Sequence, residues 1–424
     1  MTKMKNIRIG ILGLGYVGLP LAIEFGKLFD VIGYDTNTQR IDNLKKKIDK
    51  NRDITKKNFK DATYLNFTDK VEQLKNCNVY IITVPTPINK SKKPNLNLVK
   101  NACKLIGKLI KKNDIVILES TVYPGVSEDI CAPIIQKISK LKFNIDFFMG
   151  YSPERINPND KKHRISDIVK ITSGSTKETS IFVDKLYRKI IKVGTYNAKN
   201  IKVAEAAKVI ENSQRDLNIA FMNELCLIFE KLSIDTTSVL NAAATKWNFI
   251  NFKPGIVGGH CIGVDPYYLT YKSKKMGYSP KIINAGRYIN DNFTNYIINK
   301  AIRKTKKIFK IKNLRFLILG LTFKENCVDF RNSKSIEIFN KLTNKNYETH
   351  AFDPLINIIE FNDKNKIKIK KEIKTNYYHC CIISVGHNYF KKLGDKKIRK
   401  FLVKNGLIFD IKNILPKNEK NIYL

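Results

Sequence analysis

The 424-residue chain has no CxxC pair, and its eight cysteines and five histidines nowhere fall into the spacing of a metal-ligand set. No bound metal is therefore expected, and a disulfide framework is not the basis of a chain this long. Reduced thiols imply a cytoplasmic protein. An uninterrupted apolar run of the roughly 18 residues that a membrane span needs is also missing. The nearest approach, residues 9–25 behind Lys3, Lys5 and Arg8, has the outline of a signal peptide. Four glycines and Glu24 break it, and no small-residue cleavage site follows, so it is read as structure. Acidic residues are scarce, 38 against 77 lysines and arginines, which leaves a formal charge of +39. That charge is spread evenly, from Lys45-Lys46-Lys47 to Lys417 and Lys420. A nucleic-acid binder would gather it on one helix or stripe and carry a recognised module, and the sequence shows neither. The field would instead draw in anionic small molecules.

What is present is a globular composition, 43% apolar and 27% charged, on a chain long enough for two or three domains. Short β-branched runs at 7–12, 31–34, 79–84 and 115–118 alternate with amphipathic stretches, which implies a parallel sheet covered by helices. Residues 201–231 read as one long helix, and helical segments continue to about 310. Strand-like runs return at 315–319, 349–352, 380–385 and 407–410. The expected architecture is α/β: an N-terminal Rossmann-type domain over 1–198, a central helical segment over 199–310, and a C-terminal Rossmann-like domain over 311–424. Short-period repeats and Pro/Ser-rich linkers are absent from this reading.

Gly13-Leu14-Gly15-Tyr16-Val17-Gly18 follows a strand and opens a helix, the context in which this motif holds a dinucleotide. Glycines there let the backbone turn tightly and approach a pyrophosphate at the helix N-terminus. Asp35 ends the second strand, where a carboxylate takes the ribose hydroxyls and repels a 2′-phosphate, so NAD is expected over NADP. Arg40 is either an adenosine neighbour or a solvated helix arginine. Two more loops follow strands of the same sheet, Val84-Pro85-Thr86-Pro87 and Glu119-Ser120-Thr121-Val122-Tyr123-Pro124-Gly125. Thr86 and Thr121 are candidates to meet the nicotinamide half or a catalytic water, or are simply turn residues.

Gly258-Gly259-His260-Cys261-Ile262-Gly263-Val264-Asp265-Pro266 sets a cysteine among glycines between helical regions. Most free cysteines are small buried hydrophobes, but glycines here admit a substrate to the backbone, and a cationic neighbour would favour the thiolate. Lys208, Asn212 and Arg215, at i, i+4 and i+7, share one stripe of the long helix. Spacing alone turns that stripe to solvent and the opposite one, with Ala206, Val209, Ile210 and Leu217, inward. Ser152-Pro153-Glu154-Arg155 and Phe323-Lys324-Glu325-Asn326 are charged loops after strand-like runs.

Taken together these segments resemble the UDP-sugar 6-dehydrogenase family, which includes UDP-glucose and UDP-N-acetylhexosamine dehydrogenases. The similarity runs over nearly the whole chain, through residues 13–18, 84–87, 119–125, 151–158, 204–224, 254–269 and 320–331. Lys246-Trp247-Asn248-Phe249, His260 and the run Val264 to Thr270 look like the members acting on UDP-N-acetylglucosamine in bacterial surface-polysaccharide pathways. UDP-N-acetylmannosamine and UDP-glucose are the alternatives. The resemblance implies two oxidations of one C6 carbon with NAD, with Cys261 forming a thiohemiacetal and then a thioester. It assigns alkoxide stabilisation to Lys208 and Asn212, and water activation to Glu154 with Thr121 and Asp265. It assigns substrate contacts to Arg155, Ile156, Lys208, Asn212, Arg215, Lys253, Gly258 and Lys324, and a cofactor contact to Arg331. It further implies a dimer, or a larger homo-oligomer, formed through the helical segment. Lys253 departs from the arginine usual in relatives and lacks the bidentate fork. A β-hydroxyacid dehydrogenase would share the cofactor domain but needs neither Cys261 nor a third domain. A basic nucleic-acid-binding protein would bind in a strongly salt-dependent way and give no NADH.

Overall fold

The computed structural model describes residues 6–50, 54–89, 91–156, 164–365, 369 and 372–424. Of the 151–158 segment, Asn157 and Pro158 lie outside the described residues. Two compact units are present, residues 1–212 with 267–279, and residues 213–266 with 280–424.

The first unit is built on β1 (Arg8–Leu12), β2 (Asp30–Tyr34), β3 (Leu65–Thr68), β4 (Val79–Ile82), β5 (Ile115–Leu118), β6 (Phe148–Tyr151), β7 (Lys170–Gly174) and β8 (Thr195–Asn197). They form one sheet in the order β3-β2-β1-β4-β5-β6-β7-β8. The strands β1 to β6 are parallel, and their order is that of dinucleotide-binding sheets. The order reverses between β1 and β4, so the ligand crevice of such a sheet lies outside the C-terminal ends of those two strands. β7 runs antiparallel to β6, with Tyr151 opposite Ser173. Val79-Tyr80-Ile81-Ile82 and Ile115-Val116-Ile117-Leu118 are buried at every position, as strands covered on both faces must be. Ile9, Ile11, Ile81 and Ile117 share a core with Leu21 and Phe25 of α1 (Gly18–Phe25) and Phe182 and Tyr187 of α2 (Lys177–Arg188).

The long helix α3 (Ile201–Lys231) has the limits read from the sequence, and it is followed by α4 (Asp265–Lys275) and α5 (Lys281–Phe309). The stripe expectation for α3 holds for Arg215, which is exposed, and Val209, which is buried, but fails for three other residues. Lys208 and Asn212 are 7% and 5% exposed, whereas Ile210 is 54% exposed. Periodicity shows which residues share a face, not which face meets water. Burying an ammonium costs several kcal/mol in the absence of partners, so its burial is itself a functional signal.

The second unit carries β9 (Arg315–Leu319), β10 (Glu348–Phe352), β11 (Tyr378–Ile383), β12 (Leu402–Asp410) and β13 (Asn421–Tyr423), all parallel, in the order β10-β9-β11-β12-β13. Its reversal falls between β9 and β11. Phe293, Ile297 and Ala301 of α5 pack into the same core as Phe316, Ile318 and Ile382.

The two sheets repeat one local construction. Gly13 has φ +99° and donates its N–H to the Tyr34 carbonyl, and Gly320 has φ +88° and donates to the Phe352 carbonyl. Leu14 N–H donates to Asp35 at 2.8 Å, and Leu321 N–H donates to Asp353 at 2.7 Å. Each glycine needs its positive φ, and a Cβ there would press on Val84 in one case and Val385 in the other.

Candidate active site

The expected site residues divide between the two units. In the first, the glycine loop leads into α1, which has no side-chain cap and no carboxylate in its first turn, so its N-terminal amides can meet an anion. A Cβ on Gly18 would stand 1.9 Å from the Gly13 carbonyl oxygen and 2.4 Å from the Thr83 hydroxyl, which ties this glycine to close packing of helix on strand. A Cβ on Gly15 would meet no protein atom within 4 Å, so that position is open to a ligand. Tyr16 and Val17 are half-buried between them. Asp35 accepts from Leu14 N–H through Oδ2 and from Asn37 N–H through Oδ1. Arg40 is not solvated. Its Nε donates to the Leu14 carbonyl at 3.1 Å and its guanidinium pairs with Asp49 at 2.8 Å, so it braces the glycine loop. These residues fit a dinucleotide: residues 13–18 would hold the pyrophosphate and Asp35 the adenosine ribose.

The loops after β4 and β5 are tied together. The Thr86 hydroxyl donates to the Thr121 carbonyl at 2.7 Å, and the Tyr268 hydroxyl donates to the Thr86 carbonyl. Downstream, the buried Glu205 of α3 accepts from Gly125 N–H, from Ser127 N–H at 2.9 Å and from the Ser127 hydroxyl at 2.8 Å. Desolvation pushes the Glu205 carboxyl up to about 7 against these donors. Glu205 thus joins the β5 loop to the helical turn that precedes Lys208.

Glu154 is buried just beyond β6. Its Oε1 accepts from the N–H groups of Arg155, at 2.6 Å, and Ile156. Arg155 donates to the Val169 carbonyl at 2.7 Å and pairs with Glu211 of α3 at 2.8 Å, while Ile156 packs against the core. Behind Glu154 lies a group that the motif reading missed. Lys170 Nζ is 2.7 Å from Glu119 and 3.7 Å from Glu154, and Tyr187 donates to Glu119. Only the position of Lys170 at a strand start marked it in sequence, and that strand was not foreseen.

In the second unit Cys261 is exposed, while the other seven cysteines of the chain are buried and none forms a disulfide. Its carbonyl accepts from Val264 and Asp265 N–H at 2.9 and 2.8 Å, so it occupies the turn that leads into α4, with Asp265 buried at the head of that helix. Partial positive charge at a helix start favours a thiolate. Gly258 and Gly259 allow the turn to lie against its neighbours: a Cβ on Gly258 would be 2.9 Å from the Asn332 carbonyl, and one on Gly259, at φ +87°, 2.7 Å from the Phe323 ring. His260 stacks edge-on against Phe323, and burial, helped by the charge of Arg331, lowers its pKa. Arg331 grips Asp329 through Nε and a terminal nitrogen, at 2.7 Å for the shortest contact, and stays half exposed. Lys253 and Arg215 are exposed. Upstream, the Asn223 amide pairs with both the N–H and the carbonyl of Gly255, which pins the loop between Lys253 and Gly258.

At the switch point of the second sheet, Gly258, Thr322, Phe323, Lys324, Lys334 and Lys412 line a cavity of about 230 Å³. That is less than the roughly 300–1,000 Å³ of small-molecule pockets, so it can take only part of a nucleotide sugar. Three ammonium groups and the Glu325 carboxylate border it, with Lys334 Nζ paired to Glu337 at 2.6 Å. Lys412, pulled down by desolvation, was not foreseen, because its lysine stands among many.

Comparison with known proteins agrees with this geometry. The NAD binding domain of the UDP-glucose/GDP-mannose dehydrogenase family matches residues 7–191, its central domain residues 202–292, and its UDP binding domain residues 317–417. The chain belongs to that family and is an NAD-dependent nucleotide-sugar dehydrogenase. It is 49% identical to a UDP-N-acetyl-D-glucosamine 6-dehydrogenase of Salmonella typhi, with all of both chains covered. It is also 49% identical to one of Pseudomonas aeruginosa, over 99% of this chain and all of that one. Among solved structures, a UDP-D-ManNAc dehydrogenase of Pyrococcus horikoshii superposes with a TM-score of 0.88 at 28% identity, covering 98% of each chain. No described helix is long and apolar enough to cross a membrane.

Proposed function

We propose that the chain oxidises the C6 alcohol of UDP-N-acetyl-D-glucosamine to the carboxylate, supplying a uronic sugar for surface polysaccharide. The observation that carries this is an exposed Cys261 in a glycine-flanked turn at a helix start, in a chain 49% identical over its full length to two enzymes of that name. When bound, NAD supplies the two-electron acceptor for each oxidation, and two are consumed per sugar. Lys208 and Asn212 hold the C6 oxygen as its proton leaves. Cys261 adds its sulfur to the C6 aldehyde, and the adduct is oxidised to a thioester. Glu154, with Thr121 and Asp265, orients the water that displaces the sulfur and frees the carboxylate. Arg155, Ile156, Arg215, Lys253, Gly258 and Lys324 contact the nucleotide sugar, with Lys334 and Lys412 beside Lys324, and Arg331 meets the cofactor.

Side-by-side initial rates of NADH formation on the three UDP-sugars test the substrate. UDP-N-acetylglucosamine is expected to lead, because UDP-glucose leaves the acetamido space unfilled at a cost of roughly 1–3 kcal/mol. A lead for UDP-glucose or the manno epimer refutes it, and one NADH per sugar refutes the four-electron reaction. Exposed apolar side chains on α3, Ile210, Phe221 and Ile228, support assembly as a homodimer or larger homo-oligomer, which sedimentation checks. Eight cysteines with no disulfide among them support a cytoplasmic location.

A further inference from the structure

Glu154 does not stand alone at the end of β6. β7 is antiparallel to β6, so its first residue is delivered to the edge of the sheet where the parallel strands end. The pairing of Tyr151 with Ser173 and of Gly150 with Gly174 carries Glu154 into register opposite Lys170. Lys170 is 3% exposed, and its ammonium lies between two carboxylates, 2.7 Å from Glu119 Oε2 and 3.7 Å from Glu154 Oε2. The other Glu119 oxygen accepts from the Tyr187 hydroxyl of α2. Both oxygens of Glu119 are therefore engaged. Glu154 differs, since its Oε1 is held by two backbone N–H groups while its buried Oε2 has no hydrogen-bond partner.

We propose that Lys170 is a positioning residue that keeps the Glu154 carboxylate ionised, with Oε2 presented to a water, while Glu119 competes for the same ammonium. This rests on the assignment of Glu154 to the hydrolytic water. The charged and titratable groups facing this carboxylate are Lys170 from β7, Glu119 from the end of β5 and Tyr187 from α2; the neighbouring Arg155 guanidinium is directed to Glu211 of α3. A buried carboxylate reverts to the neutral acid unless a cation is kept beside it. Desolvation raises Glu119, opposed by the Lys170 ammonium and the Tyr187 hydroxyl, so two carboxyls share one lysine. Removing the lysine leaves a buried carboxylate without its cation, and removing the competitor leaves the ammonium to Glu154 alone.

The test is the pH dependence of turnover, paired with the fraction of enzyme carrying a covalently bound sugar in acid-quenched samples read by intact mass. In Lys170→Met the acid limb should move up by about one pH unit or more, a tenfold loss of rate on the limb, with adduct persisting to higher pH. In Glu119→Gln the limb should move down, with adduct clearing at lower pH. Lys170→Arg should restore most of the shift. A merely structural role would impair both variants in the same direction, so like-signed shifts, or none, overturn the proposal. If Lys170→Met does not fold, the sign in Glu119→Gln still decides. Glu154→Gln separates the underlying assignment: it should hold adduct at every pH, and normal turnover in it would sink the assignment of Glu154 whatever Lys170 does.

Discussion

Glu205 offers the sharpest measurable consequence of this packing. Its carboxyl is fully buried, faces Ser127 and Gly125, and has Glu128 as an acidic neighbour. Burial raises it from the ordinary 4.5 to about 7. A raised carboxyl pKa means that the folded chain binds more protons than the unfolded one between those values. The resulting stability is present in full below about 4.5 and is lost as pH rises through about 7. The gap sets a ceiling of roughly 3 kcal/mol on the loss. Glu205→Gln removes the titration while keeping the shape, so the informative quantity is the stability of the wild type minus that of the variant. Urea unfolding at a series of pH values from 5 to 8.5 should show this difference falling by about 1–3 kcal/mol as pH rises. A flat difference, or one that grows with pH, would mean that the three donors hold the carboxylate ionised throughout, and the desolvation argument would be refuted.

Further outcomes follow from the cofactor loop and the cysteine. Gly18→Ala should weaken NADH binding more than tenfold and lower stability, because its Cβ overlaps the Gly13 carbonyl; Gly15→Ala should weaken binding without lowering stability. Titration of NADH fluorescence and thermal melts would separate the two. Asp35→Asn should narrow the preference for NAD over NADP, and equal kcat/KM for both cofactors in the unaltered enzyme would show that Asp35 is not at the ribose. Cys261→Ser should reduce turnover by orders of magnitude, and full steady-state activity in Cys261→Ala would exclude the covalent route.

The parts of the fold that could be read from the sequence are those where a single physical demand dominates. β5 is a uniform β-branched and leucine run and β9 an apolar run behind Arg315, and both had the limits read for them. α3 is uninterrupted by glycine or proline over 31 residues, so its ends were equally plain. β6, β7 and β8, reading FMGY, KITSG and TYN, are short and mix polar with apolar residues. Their strand state comes from sheet neighbours rather than from local pattern. That is why Lys170 could not be assigned to the site in advance, as its partners are 51 and 16 residues away in sequence and strand pairing brings them together. Motif residues fared differently. Gly13, Gly18, Asp35 and Cys261 mark themselves because glycine, a strand-end carboxylate and a glycine-flanked thiol each have few reasons to occur where they do. Lys412 had no such mark in a chain with 77 basic residues.

The repeated loop construction explains how two similar sheets come to bind different parts of a reaction. In the first sheet the Asp35 carboxylate receives one backbone N–H on each oxygen and remains half-buried. A carboxylate has about four acceptor positions, so it retains capacity for two ribose hydroxyls. In the second sheet Asp353 receives Leu321 N–H at 2.7 Å, Thr322 N–H at 3.2 Å and Leu355 N–H at 2.9 Å, and is 4% exposed. His387 completes its enclosure. Nδ1 accepts from Asn326 N–H at 2.8 Å, which places the proton on Nε2, and Nε2 donates to Asp353 at 3.1 Å. The second carboxylate is thus spent on holding the loop from Leu321 to Asn326 and has nothing left for a ribose. Binding at that switch point must come from what the loop presents, and what it presents is Lys324, joined in the cavity by Lys334 and Lys412. One construction leaves its aspartate half-buried with acceptor capacity to spare, and the same construction closed by a histidine holds rigidly the loop that carries Lys324.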